Sequence, residues 1–264
     1  MKKWHLYSLA VVIVILSFIF LQDFLARVAW KKFNNPKLAV FLVRSDEKLA
    51  MDLGNYYFNG GAYDLNLAEK SFKKAVKIDI KVSFGHYQLA RVHFMRSEFD
   101  KALKEIDEAM KVNPGNVKSF YVRGLIYNYR DKPGDLALAE EDFKRFTVWV
   151  PKDWGGYNDL AHVLSRQKKY KEARDTIIKA IDMVPDGEKN PWLWNSLGVA
   201  QLNLQEYEKS AQSFEKAKKL VEDISIAAWI IAYPGNNPVD ANSGIQAFRS
   251  AIENNLMQAD ARGK

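Results

Sequence analysis

From about residue 47 onward, hydrophobic positions follow the period of an α-helix, and one spacing of small and large residues returns several times. A small residue is followed by a large apolar residue four positions later and by a second small residue three positions after that. The pattern occurs at Ala68-Phe72-Ala75, Ala102-Ile106-Ala109, Ala173-Ile177-Ala180 and Ser210-Phe214-Ala217, and Ala139-Phe143-Phe146 keeps its first two members. Successive triplets begin 34, 37, 34 and 37 residues apart, which indicates an internal repeat.

A second set of positions precedes each triplet and completes the repeat. Another small residue stands upstream, at Gly54, Ala90, Gly124, Ala161 and Gly198, and four positions before it lies Ala50, His86, Phe120, Tyr157 or Trp194. A proline follows the second half of three units, at Pro114, Pro151 and Pro185. These residues resemble the tetratricopeptide repeat (TPR) family over about residues 47–222. The resemblance implies an all-α, right-handed superhelical solenoid of about five helix-turn-helix units.

The physical sense of the pattern is two antiparallel helices in each unit. Small residues let two helix backbones approach, large residues fill the space beside them, and proline ends a helix. One unit cannot bury its apolar face alone, so neighbouring units must stack. Phe146 departs from the pattern because it replaces a small residue, and we expect it to push helices apart locally. Ile80 and Glu222 stand where a proline is expected.

The first residues predict a membrane anchor. Lys2 and Lys3 precede an apolar stretch from Leu6 to Leu21, and residues 4–22 form a segment long enough to cross a bilayer core. We interpret residues 1–24 as an uncleaved transmembrane signal anchor, because the residues that follow lack a small-residue cleavage site; a cleaved signal peptide is the alternative. The lysines and arginines on the two flanks nearly balance, and an extracytoplasmic array is favoured over a cytoplasmic one.

The remaining segments flank the array. Residues 25–46 are predicted to be a juxtamembrane linker, with Ser45-Asp46 capping the first repeat helix. Residues 223–264 are predicted to form C-terminal capping helices and a tail: a helix from Asp223 to Tyr233, a loop at residues 234–238, a last helix over about 239–256 and a frayed end.

Composition narrows the possible functions. The 264 residues contain no cysteine, which removes disulfides, thiolate metal sites and a cysteine nucleophile. The net charge of +7 is spread along the chain, and the concentrated basic stripe of a nucleic-acid-binding protein is missing. Phosphate-loop, dinucleotide, metalloprotease, calcium-loop and nucleophile-elbow motifs are absent from the sequence. His86 and His93 share a helix face without a third ligand, so packing is the favoured interpretation. The sequence predicts no enzyme, no cofactor and no metal site.

The family resemblance supplies the candidate binding residues. In TPR proteins the first helix of each unit lines an inner groove, and the positions around its small residue face a bound ligand. Transferred to this chain, that geometry gives Asn55, Tyr87, Arg91, Tyr121, Asn128, Asn158, His162 and Asn195. Trp192, three residues further upstream, and Arg166, just past His162, complete the candidate set near the same edge. Amide side chains can bond to a peptide backbone, arginine suits a carboxylate, and aromatic rings offer rigid contact area. Ordinary exposed helix residues are the alternative interpretation.

The sequence therefore predicts a membrane-anchored scaffold that binds a protein or peptide segment in the concave groove. The alternative is an accessory arm of a cell-envelope glycan or peptidoglycan enzyme system, which presents substrate or holds the enzyme. In that case Trp154, Trp192 and Trp194 would stack on sugar rings.

Overall fold

The structure, a computed structural model, describes residues 2–58, 63–232 and 240–263, with side chains from residue 7 onward. Fourteen α-helices and one 3-10 turn (Gly187–Lys189) occur in these ranges, and no strand does. The helices are α1 Lys2–Lys31, α2 Pro36–Leu42, α3 Glu47–Phe58, α4 Leu65–Ile78, α5 Ser83–Met95, α6 Phe99–Val112, α7 Val117–Arg130, α8 Asp135–Trp149, α9 Trp154–Arg166, α10 Tyr170–Met183, α11 Pro191–Asn203, α12 Tyr207–Glu222, α13 Ile226–Ala232 and α14 Ala241–Gly263. The predicted all-α fold of five repeated helix pairs, α3/α4 to α11/α12, is confirmed.

The chain divides into two compact units, Met1–Pro114 and Gly115–Lys264. The first unit contains α1, α2 and the first two helix pairs. The second contains the other three pairs with α13 and α14. The small residues of the repeat are contact points between the two helices of a pair: a Cβ atom on Gly198 would lie 2.6 Å from the ring of Phe214. Only glycine allows the helices to approach this closely.

Phe146 does not act as the sequence predicted. The ring is buried, with 4% of its surface exposed, and it lies against Gly156 in the first turn of α9. A Cβ atom on Gly156 would come within 2.6 Å of that ring. The large residue is therefore accommodated by a glycine in the next helix, and the expectation that it pushes helices apart is wrong.

The N-terminal segment is more regular than a linker. Helix α1 continues to Lys31, and α2 occupies part of the stretch between α1 and the first helix pair. Asp46 caps α3 as expected, because its Oδ1 accepts a hydrogen bond from the Leu49 amide at 3.0 Å. By length and composition, the Tyr7–Lys31 part of α1 can cross a bilayer, with a mean hydropathy of 2.5 in its most apolar stretch.

At the other end of the chain, α14 packs on α12. Ile252 and Ala259 are buried against Phe214 and Val221 of that helix. Helix α14 runs through residues 257–263, which the sequence predicted to be frayed, because Ala259 belongs to this apolar contact. The loop predicted at residues 234–238 lies outside the described residues.

Candidate functional site

The inner helices of the second unit, α7, α9 and α11, carry most of the candidate residues. At one end of this surface, Arg166 donates a hydrogen bond to the Asn128 Oδ1 at 2.9 Å and pairs with Asp131 at 2.6 Å. The Asn128 Nδ2 lies 3.3 Å from the Nδ1 of His162. The structure thus brings Asn128, His162 and Arg166 together, as one network that joins α7 to α9.

His162 is exposed to solvent, yet many protein atoms surround it. This partial removal of water, together with the positive charge of Arg166, lowers the pKa of its imidazole below the ordinary value of 6.5. The neutral ring presents an acceptor at Nδ1 to the amide of Asn128, with the other nitrogen carrying the proton. At neutral pH the exposed part of this network is therefore the uncharged imidazole of His162.

Further along the same helices, Asn158 and Tyr121 are engaged with neighbouring repeats. The Ser196 hydroxyl donates to the Asn158 Oδ1 at 2.7 Å, and the Tyr121 hydroxyl donates to Asp159 at 2.7 Å. Asn158 is 9% exposed and Asp159 is 7% exposed. These groups connect successive inner helices, so a substitution of Asn158 removes a contact that supports the fold.

Asn195 differs from the other candidates. Its Oδ1 is buried and has no hydrogen-bond partner among the described residues. A buried acceptor without a donor costs free energy, and folded proteins contain few of them. This oxygen is therefore the group on α11 whose hydrogen bond the described residues leave unmade, and a donor from outside the chain reaches it only when the half-buried side chain rotates.

Trp192 belongs to an aromatic cluster that reaches the C-terminal helices. Its ring stacks on Trp154 with centroids 5.0 Å apart, and on Phe248 of α14 at 5.7 Å. Trp229 of α13 lies 5.9 Å away. The planes of both stacked neighbours are nearly parallel to that of Trp192, at 20° and 13°, so these rings cover ring area that a ligand would need. The nearby Trp194 donates its indole N–H to the Glu188 carbonyl at 2.8 Å.

The first unit contains the remaining candidates. The Asn55 Oδ1 accepts from the Gln88 Nε2 at 2.6 Å, and the Gln88 Oε1 accepts from Arg91 at 2.8 Å. The Arg91 guanidinium lies over the Phe58 ring at 4.5 Å and near Tyr87, which is buried with 8% exposure. Burial lowers the pKa of Arg91, and its Nε is without a partner in the part of the chain that the structure describes.

His86 and His93 of the first unit pair with acids. His86 Nδ1 lies 2.7 Å from a Glu105 oxygen, and His93 Nδ1 lies 2.6 Å from a Glu98 oxygen. Within the described ranges, no group of three or more histidine and acidic side chains could hold a metal ion.

Sequence reasoning missed Gln88, Asp159 and Ser196, which bond to the candidate residues. All three occupy the position two residues before the small residue of the first helix in their repeat, at Ala90, Ala161 and Gly198. A polar residue in this phase reaches the preceding repeat, as the bonds to Asn55, Tyr121 and Asn158 show. The repeat alignment itself carries the signal that could have identified them.

Comparison with known proteins supports the repeat assignment. Residues 158–223 match the family model described as tetratricopeptide repeat. The matched stretch runs from within α9 to just past the end of α12, about a quarter of the chain. Among curated proteins, the TPR repeat-containing protein MJ1428 of Methanocaldococcus jannaschii is 25% identical over 222 residues, 78% of this chain and 37% of the relative. The TPR repeat-containing protein PA4667 of Pseudomonas aeruginosa is 31% identical over 100 residues, 38% of this chain and 16% of the relative. The chain thus spans well under half the length of either relative.

Solved structures share the fold. MamA from Desulfovibrio magneticus RS-1 covers 67% of this chain with 95% of its own length, at a TM-score of 0.58 and 17% identity. PilW, described as a widely conserved type IV pilus biogenesis factor, covers 82% of this chain with 91% of its own length, at a TM-score of 0.59 and 14% identity. YrrB, described as a TPR protein with an unusual peptide-binding site, covers 68% of this chain with 88% of its own length, at a TM-score of 0.54 and 17% identity. The repeat fold is consistent with a scaffold for protein–protein interaction.

Proposed function

We propose that this chain is a membrane-anchored scaffold that binds an extended protein segment along the inner helices α7, α9 and α11 of its second unit. Helix α1 serves as an uncleaved anchor, and the repeats lie on the extracytoplasmic side. The length and apolar composition of α1 support the anchor. The repeat fold supports protein binding, and YrrB, a protein of the same fold, is described as having an unusual peptide-binding site.

One observation carries the location of the binding surface. The buried Oδ1 of Asn195 lacks a donor among the described residues, and an extended peptide presents a backbone N–H at regular intervals. Rotation of the half-buried Asn195 side chain would bring this oxygen to the surface, where a bound segment would supply the hydrogen bond that the fold does not provide. Tyr129, with 60% of its surface exposed, and the His162–Arg166 pair provide contact area and polarity along the same helices.

The residues that hold the inner helices together have a different role. Because Asn158 accepts a hydrogen bond from Ser196, a substitution of Asn158 changes stability as well as any binding. Asn195 permits a cleaner test. Removal of a buried acceptor that has no partner should leave the free energy of unfolding unchanged or increase it, while a ligand that donates to this oxygen is lost.

The glycan alternative has less support from the geometry. Sugar rings stack on open faces of aromatic residues, and Trp154 and Phe248 already lie against Trp192. A peptide needs edge contacts and backbone hydrogen bonds, which the exposed Tyr129 and the oxygen of Asn195 offer.

The test is site-specific photocrosslinking in native membranes. A photoreactive phenylalanine analogue replaces Tyr129 on the inner surface or, as a control, Val148 on α8, which is 76% exposed. We expect a discrete protein adduct from position 129 and none from position 148. Asn195→Leu should remove the adduct without lowering the Tm, whereas Asn203→Leu, at an exposed position of the same helix, should retain it. An adduct that survives Asn195→Leu would contradict the assigned groove, and equal adducts from both positions would contradict groove binding altogether.

A further inference from the structure

The chain reverses direction after α1, and a buried carboxylate fixes the reversal. Helix α2 packs beside α1, and Asp23 of α1 accepts hydrogen bonds from the backbone amides of Arg44 at 2.6 Å and Ser45 at 3.0 Å. Asp23 is only 7% exposed. The C-terminal end of α2 is therefore held next to the turn of α1 that follows its apolar stretch.

The position of Arg44 relative to that stretch is the central observation. The Arg44 Nε donates to the Gln22 Oε1 at 2.9 Å, and Gln22 directly follows Leu21, the last residue of the apolar stretch. If α1 crosses a bilayer, the guanidinium lies at the level where the hydrocarbon core ends. Lys32, nine residues beyond Asp23, stands ~13 Å farther along the helix axis.

Phe41 and Lys70 lie beside Arg44. Phe41 is 59% exposed, the Arg44 guanidinium carbon is 6.0 Å from its ring centroid, and the Lys70 Nζ is 5.7 Å from it. Aromatic rings concentrate at the membrane interface, and cations within a Debye length of anionic lipid are attracted to it on either side of the bilayer. An exposed phenylalanine between two cations therefore suits a lipid surface better than it suits water.

The surrounding backbone is rigid enough to hold this arrangement. The Lys74 ammonium donates to the carbonyls of Val40 at 2.6 Å and Val43 at 2.9 Å, which close the end of α2. Burial of Lys74, together with the nearby charges of Arg44 and Lys70, lowers its pKa to about 8. Lys74 is thus committed to the fold, whereas Arg44, Phe41 and Lys70 form the outer surface.

We propose that Arg44, Phe41 and Lys70, the juxtamembrane patch, bind the anionic phospholipid head groups of the bilayer that α1 crosses. This inference rests on the proposed membrane anchor. It adds that the first unit stands against the bilayer in one orientation, because the Asp23 contacts join α1 to the patch. Arginine matches phosphate geometry through its planar set of donors, and Phe41 inserts between the head groups.

The test uses the full chain in lipid vesicles. Because the sequence contains no cysteine, a single introduced cysteine carries one fluorophore. Phe41→Cys places an apolar label in the patch, and Lys32→Cys places it at the far end of α1. The vesicles contain a phosphatidylcholine whose head group bears a nitroxide quencher, with or without about a third of phosphatidylserine. Alkaline carbonate extraction of the same samples reports whether α1 is inserted.

We expect strong quenching at position 41, at least twofold above that at position 32, and a further rise in vesicles that contain phosphatidylserine. Arg44→Gln with Lys70→Gln should abolish that rise, whereas Lys101→Gln with Lys104→Gln on α6, which removes the same charge, should not. Carbonate-resistant protein with equal quenching at both positions would overturn the patch and leave the anchor intact. Quenching at position 41 that is equal with and without phosphatidylserine would overturn the anionic head-group assignment. Protein released by carbonate would overturn both the patch and the anchor, and the crosslinking from position 129 would still test the groove.

Discussion

Gly156 and Phe146 form the contact at which this chain departs from its own repeat pattern. The contact predicts that Gly156→Ala destabilises the native protein but stabilises the Phe146→Ala variant. A Cβ atom on Gly156 would lie 2.6 and 2.8 Å from two Phe146 ring carbons and 3.2 Å from a Thr147 methyl. Carbon atoms normally approach to about 3.5–4.0 Å, so the ring must move. Overpacking of a core costs roughly 1–3 kcal/mol. Alanine is favoured over glycine in a helix by about 1 kcal/mol, which offsets part of that cost.

We therefore expect Gly156→Ala to lower the free energy of unfolding by up to about 2 kcal/mol in the native background. Phe146→Ala alone should cost about 3–5 kcal/mol, because it removes a buried ring. In the Phe146→Ala background the overlap no longer exists, so Gly156→Ala should stabilise the protein by up to about 1 kcal/mol. The two substitutions are thus coupled by roughly 1–3 kcal/mol, which is the cost of the overlap itself.

Urea unfolding of the four proteins in detergent, followed by circular dichroism, measures this coupling from the midpoints and slopes. Gly198→Ala is a matched control, because its Cβ would lie 2.6 Å from Phe214 and shares no contact with Phe146. Its cost should be the same with and without Phe146→Ala. If Gly156→Ala lowers stability equally in both backgrounds, Phe146 is not accommodated by Gly156 and the packing argument fails.

Two further predictions concern buried ion pairs. Arg123 donates hydrogen bonds to both oxygens of Asp142 at 2.8 Å, and burial raises the pKa of this carboxyl despite that partner. Arg123→Ala should lower the free energy of unfolding, measured in urea, by about 3 kcal/mol because it leaves a buried carboxylate unpaired. The double variant Arg123→Ala with Asp142→Leu should recover most of that loss. Burial opposes ionisation of Glu140, but bonds from Lys144, Lys169 and Gln167 outweigh it and lower its pKa to about 2. Because the folded pKa is below the ordinary glutamate value of 4.5, this stabilisation is complete above pH 4.5 and is lost as the pH falls towards 2. Glu140→Gln should flatten the profile of Tm against pH in that window, and an unchanged profile would contradict the assignment.

The helix pairs could be predicted from the sequence because their packing is local. Each pair is built within about 34–37 residues, and the repeated positions of Gly198 and Phe214 report a contact between two helices joined by a short turn. The N-cap at Asp46 is equally local, since a side chain bonds an amide three residues away. For the same reason the apolar stretch of α1 could be identified from length and composition alone.

The candidate site was harder to predict because its bonds join different repeats. The position of Asn158 in the helical repeat predicts that it lies on the inner surface. Only the stacking of α9 against α11 places the Ser196 hydroxyl 2.7 Å from its side-chain oxygen. Asn195 is the same type of residue at the equivalent position of the next repeat, but its side-chain oxygen is buried without a donor among the described residues. Sequence position alone does not distinguish these two asparagines.

Periodicity in the sequence determined which residues face inward and which helices pair, because burial of apolar side chains follows the helix period. The tertiary structure decided how those surfaces are used. It placed Gly156 beneath Phe146, bound Asp23 to the amides of Arg44 and Ser45, and set Arg44 beside Gln22. Each of these contacts depends on the distance and orientation between separate helices, which side-chain packing fixes only when the helices have assembled.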